Sequence, residues 1–197
     1  MTEFLISDPF IEILGAITGL IYLYFSVKQN IWLWPLGMVT SLIYVYVFFQ
    51  EKFYAGMSLQ FYYFGISIYG WYFWQKGTGE EKGKLPVIRA KGKEWFIFIF
   101  ISLVLTWVSG YALDHYTDSP IPYWDAFTTA GSIVATWMLA RKYLEHWLFW
   151  IVIDVVSIGL YIYKGLYPTV FLFFAYTGLA GVGYYKWKKE WIKNSAN

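Results

Sequence analysis

The chain contains no cysteine, only two histidines, and few charges for its length. Without thiols there are no disulfides, no thiolate metal sites and no cysteine nucleophile. His115, in a loop, and His146, at a helix start, give no metal constellation. No serine has both a histidine and an acid at a matching depth for a catalytic triad. The glycine-rich stretch GTGEEKGK (Gly77–Lys84) has the wrong spacing for a phosphate loop and runs into Leu85-Pro86, not into serine or threonine. A nucleotide-driven pump is therefore excluded unless a partner supplies the ATPase, and no cofactor or metal is called for. Charged residues make up 14% of the 197 positions, against about 25% in ordinary soluble domains. In their place stand 58% hydrophobic and 24% aromatic residues. This is the composition of an integral membrane protein.

Seven apolar segments follow one another, at Pro9–Val27, Ile31–Phe49, Phe53–Trp74, Trp95–Leu113, Ile121–Ala140, Trp147–Tyr163 and Tyr167–Tyr185. Each has roughly the twenty residues that span a hydrocarbon core, allowing for tilt. The first two are separated only by Lys28-Gln29-Asn30, and the last two only by Lys164-Gly165-Leu166, so these neighbours must be antiparallel. The amino-terminal MTEFLISD lacks the basic segment of a cleavable signal, so the first apolar segment is expected to remain in place. Thirteen of the fifteen lysines and arginines fall on one side of this seven-span layout, with only Lys52 and Lys164 on the other. The positive-inside rule then predicts an outer amino terminus and a cytoplasmic carboxyl terminus.

Sliding the chain by 113 residues lays Glu12–Lys76 over Asp125–Lys189 without gaps. Trp34 then meets Trp147, Tyr63 meets Tyr176, Gly70 meets Gly183, Trp74 meets Trp187, and Lys28 meets Arg141. The match predicts a duplicated three-helix unit. Two copies can have the same sense across the membrane only if an extra span lies between them, and Trp95–Leu113 has no counterpart in either copy. The predicted fold is thus all-α, with seven transmembrane helices as two parallel three-helix repeats joined by a linker helix (3+1+3). The expected divisions are 1–76, a basic cytoplasmic connector 77–94, the linker helix 95–113, and 121–197 with its cytoplasmic tail. Parallel repeats of this kind describe the SWEET-type architecture, whose substrate sites lie near mid-membrane.

The sixth segment, WLFWIVIDVVSIGLYIY, places Asp154 at its centre. A carboxylate there costs roughly 2.5–3.5 kcal/mol on insertion scales, so a partner, a wet cavity or a ligand must offset it. At helical spacing Trp150, Asp154, Ser157 and Tyr161 share one face. Two roles compete: the stripe lines a compartment for a small cationic molecule, or Asp154 bonds a neighbouring helix and serves packing. Asp154 maps onto Ser41 in the first copy. The second segment adds Trp34 and Tyr44, and the third adds Gln60, Tyr63, Ser67 and Trp71. Tyr176 and Thr177 come from the seventh. Most serines and threonines are read as packing residues; Gln60 suits ligand contact and interhelical bonding equally. Glu12 and Asp125, one turn inside the outer surface, are gate residues or solvated helix ends.

Several runs resemble the PnuC family of vitamin transporters. They are Asn30-Ile31-Trp32-Leu33-Trp34-Pro35-Leu36-Gly37, Gln60 with Tyr63, and Tyr69-Gly70-Trp71 with Trp74. The second copy adds Trp147 and Trp150 ahead of Asp154, then Leu160-Tyr161, Lys164-Gly165-Leu166-Tyr167, and Gly183-Tyr184 with Trp187. The resemblance covers nearly the whole chain. It implies facilitated diffusion of a vitamin precursor, most often nicotinamide riboside, with thiamine or riboflavin carried by related branches. It also implies that a cytoplasmic kinase phosphorylates the vitamin and traps it inside. An aromatic cage is implied too, for which Trp34, Trp71, Trp147, Trp150, Tyr63 and Tyr176 are the matching residues. Nicotinamide riboside and thiamine carry a fixed positive ring, which aromatic faces attract by about 0.5–2 kcal/mol per contact. A buried carboxylate strengthens that preference, so neutral riboflavin ranks third. The competing class is a membrane receptor that binds such a ligand without passing it. The reading allows a homo-oligomer and assigns no nucleic acid.

Overall fold

The computed structural model describes residues 9–50, 54–77 and 85–195. Within them lie seven α-helices: α1 (Pro9–Val27), α2 (Leu33–Gln50), α3 (Tyr54–Lys76), α4 (Gly92–Tyr116), α5 (Pro122–Ala140), α6 (His146–Tyr163) and α7 (Tyr167–Ser195). The expected all-helical, seven-helix class is the observed one. Several boundaries differ. Ile31 and Trp32 sit in a turn before α2. The linker helix is longer than its apolar core, running from Gly92 to Tyr116. The last helix continues past Tyr185 to Ser195, because its lysines and Glu190 propagate a helix beyond an apolar run about as readily as leucine does. The side chain of Glu12, all of Lys52, and most of the glycine-rich connector (78–84) lie outside the described residues.

By length and composition α4 and α6 are apolar enough to cross a membrane. α4 exposes Phe96, Phe100, Leu103 and Trp107 in one continuous stripe. A core helix of a soluble protein would bury those side chains, whereas in lipid they are at home.

The helices form two compact units, Met1–Leu85 and Pro86–Asn197. In the first, α2 packs chiefly on α3, with α1 against α2; in the second, α5 packs on α4 and α6, and α6 on α7. The linker helix therefore packs within the second unit. The 113-residue offset seen in the sequence reappears as backbone geometry. α1 ends at Lys28-Gln29-Asn30, where the Gln29 N–H donates to Ser26 O at 3.0 Å and the Asn30 N–H donates to Phe25 O at 2.8 Å. α5 ends with the same pair: Lys142 N–H to Leu139 O at 2.9 Å and Tyr143 N–H to Met138 O at 2.9 Å. Gln29 and Lys142 both adopt left-handed φ, 52° and 57°. Each is a Schellman stop, in which a left-handed residue turns the chain and satisfies the last carbonyls.

The packing repeats as well. Trp34 lies edge-on to Trp74 (5.4 Å, 90°) and Trp147 edge-on to Trp187 (5.7 Å, 88°). Both pairs are accommodated by a missing side chain. A Cβ on Gly70 would lie 2.5 Å from Cζ2 of Trp34, and one on Gly183 would strike the same atom of Trp147.

The turn between α6 and α7 uses a third Schellman stop, with Gly165 at φ 72° and the Leu166 N–H donating to Tyr161 O at 2.9 Å. A Cβ at Gly165 meets nothing within 4 Å, and neither does one at helical Gly159. The same substitution should then act in opposite directions. Gly165→Ala is expected to lower stability by about 1 kcal/mol through the left-handed backbone alone. Gly159→Ala is expected to raise it by roughly 0.5–1 kcal/mol through helix propensity. Melting temperatures of the two purified variants in one detergent check the signs.

The copies differ at one loop. In the second unit Ile88 forms a parallel bridge to the α5–α6 loop, its N–H donating to Lys142 O (3.0 Å) and its carbonyl accepting from Leu144 N–H (2.8 Å). Glu145 is buried there, accepting from Arg89 Nε at 3.2 Å and from the Ala90 N–H at 2.9 Å. Tyr143 Oη donates to Glu94 at 2.7 Å. The residue at the Glu145 position in the first copy is Trp32, which is 64% exposed. The acid thus belongs to the second copy alone, and its partners are in the connector.

Candidate functional site

Each unit contributes its own set of the residues singled out in the sequence. In the first unit, α2 carries Trp34 and Ser41, both buried. On α3, Gln60 and Tyr63 are half-buried, Ser67 is buried, and Trp71 is 39% exposed. Ser67 Oγ donates to the Tyr63 carbonyl at 2.7 Å, the back-bond that lets a serine stay inside a helix without another partner. A Cβ at Gly37 would lie 2.8 Å from Ser67 Oγ and 3.4 Å from the Tyr22 ring. α1, α2 and α3 therefore meet at this level, and Tyr22, absent from the sequence-derived set, joins Ser67 there.

A signal for Tyr22 was present in the repeat. Tyr22 and Gly37 map onto Ala135 and Trp150. The large ring comes from the first helix of one copy and from the second helix of the other, so volume is conserved while the element supplying it changes.

In the second unit, α6 carries Trp147, Trp150, Asp154 and Tyr161. Trp147 is fully buried, Trp150 and Tyr161 are half-buried, and Asp154 and Ser157 are buried. Val152, Val155 and Ile162 are exposed on the opposite side of the helix, so the stripe read from the spacing is a real face. Tyr161 contacts Phe173 of α7 (5.0 Å between ring centroids), and Phe173 contacts Tyr176 (5.4 Å). Phe173 is the second residue the sequence reading did not single out. It occupies the position of Gln60 in the other copy, so an aromatic and an amide replace one another at symmetric places.

Trp34 and Trp147 differ from the other tryptophans of the set. Both are completely buried, with the aromatic partner and the glycine already described. Their Nε1 atoms have no hydrogen-bond partner among the described residues. Trp71, Trp150, Tyr63, Tyr161 and Tyr176 retain exposed ring surface.

The acids of the second unit set Asp154 apart. Asp125, in the first turn of α5, accepts from Ser119 Oγ at 3.0 Å and from Lys164 Nζ at 3.3 Å, tying the α6–α7 turn to α5. Glu145 and Glu94 have the connector contacts given above. Asp154 is only 4% exposed, yet no hydrogen bond or ion pair reaches it from the described residues. Ser41, its equivalent, is equally buried at 4%. Removing one partner from a buried pair is costly, and a buried carboxylate that never had a protein partner meets the same cost unless it takes up a proton or something else approaches it. Aromatic surface and one uncompensated carboxylate favour a small ring-bearing cation. No group of His, Cys, Asp and Glu able to hold a metal occurs among the described residues.

Comparison with known proteins gives matches that agree on family and fold. A family model described as nicotinamide mononucleotide transporter matches residues 9–189. The "Nicotinamide riboside transporter PnuC" of Escherichia coli is 26% identical over 201 residues, covering 90% of this chain and 84% of that protein. The "Riboflavin/roseoflavin transporter RibM" of Streptomyces davaonensis is 28% identical over 185 residues, covering 93% and 85%. The crystal structure of the vitamin B3 transporter PnuC superposes with a TM-score of 0.74 at 24% identity, covering 96% of this chain and 86% of that one. At that identity the structural likeness speaks for the fold.

Proposed function

Because this chain belongs to the nicotinamide mononucleotide transporter family, the family of the PnuC proteins, we propose that it carries a cationic vitamin precursor across the bacterial inner membrane by facilitated diffusion. Nicotinamide riboside is the first substrate to test. The observation that carries this reading is Asp154, a buried carboxylate in an aromatic face with no partner among the described residues. A fixed positive ring supplies the missing counter-charge, and Trp150, Tyr161 and Tyr176 of the same unit supply ring faces to hold it; Tyr63, Trp71 and Gln60 are the candidate ligand contacts of the first unit. Ser41 takes the symmetric place in the first copy. Trp34 and Trp147 act beneath this layer, as the packed anchors on which α2 and α6 stand. Carriage by alternating access is the mode of other carriers built from internal repeats. The amino terminus lies outside and the carboxyl terminus in the cytoplasm, where a kinase acting on the carried vitamin would trap it.

The test has two stages. Melting of the purified protein is followed with nicotinamide riboside, thiamine and riboflavin, since a ligand of the folded form raises its melting point. Counterflow in proteoliposomes then separates carriage from reception. A shift with nicotinamide riboside and exchange of the labelled compound are expected. A shift with thiamine alone would move the substrate to the other cationic vitamin. Binding without exchange would make the protein a receptor and end the carrier reading.

A further inference from the structure

The connector and the end of α7 border a shallow, open groove of about 610 Å³, lined by Pro86–Lys91 together with Trp191, Asn194 and Ser195. It lies wholly within the second unit, and α7 reaches it only because that helix runs ten residues past its apolar core. The two charged residues in its lining are Arg89 and Lys91, and both are positive.

Arg89 is held in position before any ligand arrives. Its Nε donates to the buried Glu145 at 3.2 Å, and the guanidinium lies over the Trp191 ring, 5.2 Å from the centroid. Glu145 is itself fixed by the Ala90 N–H, and the Ile88 bridge ties the connector to the α5–α6 loop. Nε is the atom that bonds Glu145, and the Nη atoms make no hydrogen bond among the described residues, on a side chain 49% exposed. The outer edge of a guanidinium is a two-pronged donor that matches the oxygens of a phosphate. Holding the side chain in advance removes part of the ordering cost that an exposed arginine pays on binding. Beside it stand the exposed Lys91 and the exposed Asn194, whose side-chain amide makes no hydrogen bond among the described residues. The first copy has no equivalent, because Trp32 replaces Glu145 and no connector is bonded to that loop among the described residues.

We propose that this groove binds a phosphate group, gripped by the outer edge of Arg89 and by Lys91. Two sources offer that chemistry: a soluble phosphate ester and the headgroup of an anionic phospholipid. The proposal is independent of which vitamin the protein carries.

Thermal melting of the full-length protein distinguishes the sources. One arm titrates inorganic pyrophosphate into protein in neutral detergent. The other compares nanodiscs of phosphatidylcholine with nanodiscs that also contain phosphatidylglycerol. A rise in melting temperature in the first arm assigns a soluble ligand, and a rise confined to the second assigns a lipid headgroup. In whichever arm responds, Arg89→Gln should weaken apparent binding roughly tenfold or more, the loss expected for a charge-assisted pair. Because that change also disturbs Glu145, Lys91→Gln is the second variant. It should weaken binding several-fold, whereas Lys188→Gln, a lysine of α7 outside the groove lining, should not. No rise in either arm overturns the proposal, and so does a response that Lys188→Gln reduces as much as Lys91→Gln does.

Discussion

Asp154→Asn is expected to slow counterflow of nicotinamide riboside by about tenfold or more while leaving the melting temperature unchanged or higher. The two halves of this result have one cause. Asparagine keeps the shape of aspartate and removes its charge. At an effective dielectric near 20, two unit charges a few ångströms apart attract by about 4 kcal/mol before desolvation is counted, so a surviving fraction of that is about tenfold in affinity. The folded protein gives up no ion pair or hydrogen bond in exchange, because none reaches the carboxylate from the described residues. A structural acid would behave in the opposite way, with stability falling and transport falling only as a consequence. Initial exchange rates and melting curves from the same preparation separate these outcomes. Unchanged exchange in the variant would remove Asp154 from the mechanism. Riboflavin provides an internal contrast, since a neutral ring should lose little from the substitution.

A larger structural effect is expected at the tryptophan anchors. Gly183→Leu should prevent the second unit from packing, because even the first added carbon would strike the Trp147 ring. Trp147 cannot step aside, being fully buried against Trp187 and His146. Overpacking of a rigid core commonly costs about 1–3 kcal/mol and more where both neighbours are large rings. Trp147→Ala removes the obstruction but opens a cavity, at about 3–5 kcal/mol. Together the two changes should cost less than their sum, since the leucine then fills part of the space the indole vacated. Gly70→Leu should reproduce the effect through Trp34 in the first unit. Folded yield in detergent and melting temperature provide the measurement. Strictly additive losses would mean that the glycine and the ring do not share that space.

The duplication was readable because comparing the chain with itself at one fixed offset needs no knowledge of which residues touch. A Trp, a Gly and a second Trp recur at a fixed offset, and a ring packed on a glycine needs only those residues. The turn residues Gln29 and Lys142 gave no such clue. Left-handed backbone is usually announced by glycine, and neither position has one. The polar stripe of α6 followed from helical spacing and is the face that the structure buries. Tyr22 and Phe173 escaped notice because an aromatic residue in an aromatic-rich chain has no distinctive pattern; each becomes distinctive only against the residue it faces.

By itself the sequence determined that this chain lives in a membrane, that it has seven helices, and that one carboxylate is placed where burial is expensive. These depend on composition and on the 3.6-residue period, which are properties of single segments. Only the tertiary structure decided that Asp154 has no partner among the described residues while Asp125, Glu94 and Glu145 each have one. It also decided that Ile88, Arg89 and Ala90 of the connector are bonded to the loop between α5 and α6. Whether a charge is paired depends on side chains 39 or 56 residues away, as with Lys164 and Arg89, and the spacing of residues along one helix carries no record of what another helix brings beside it.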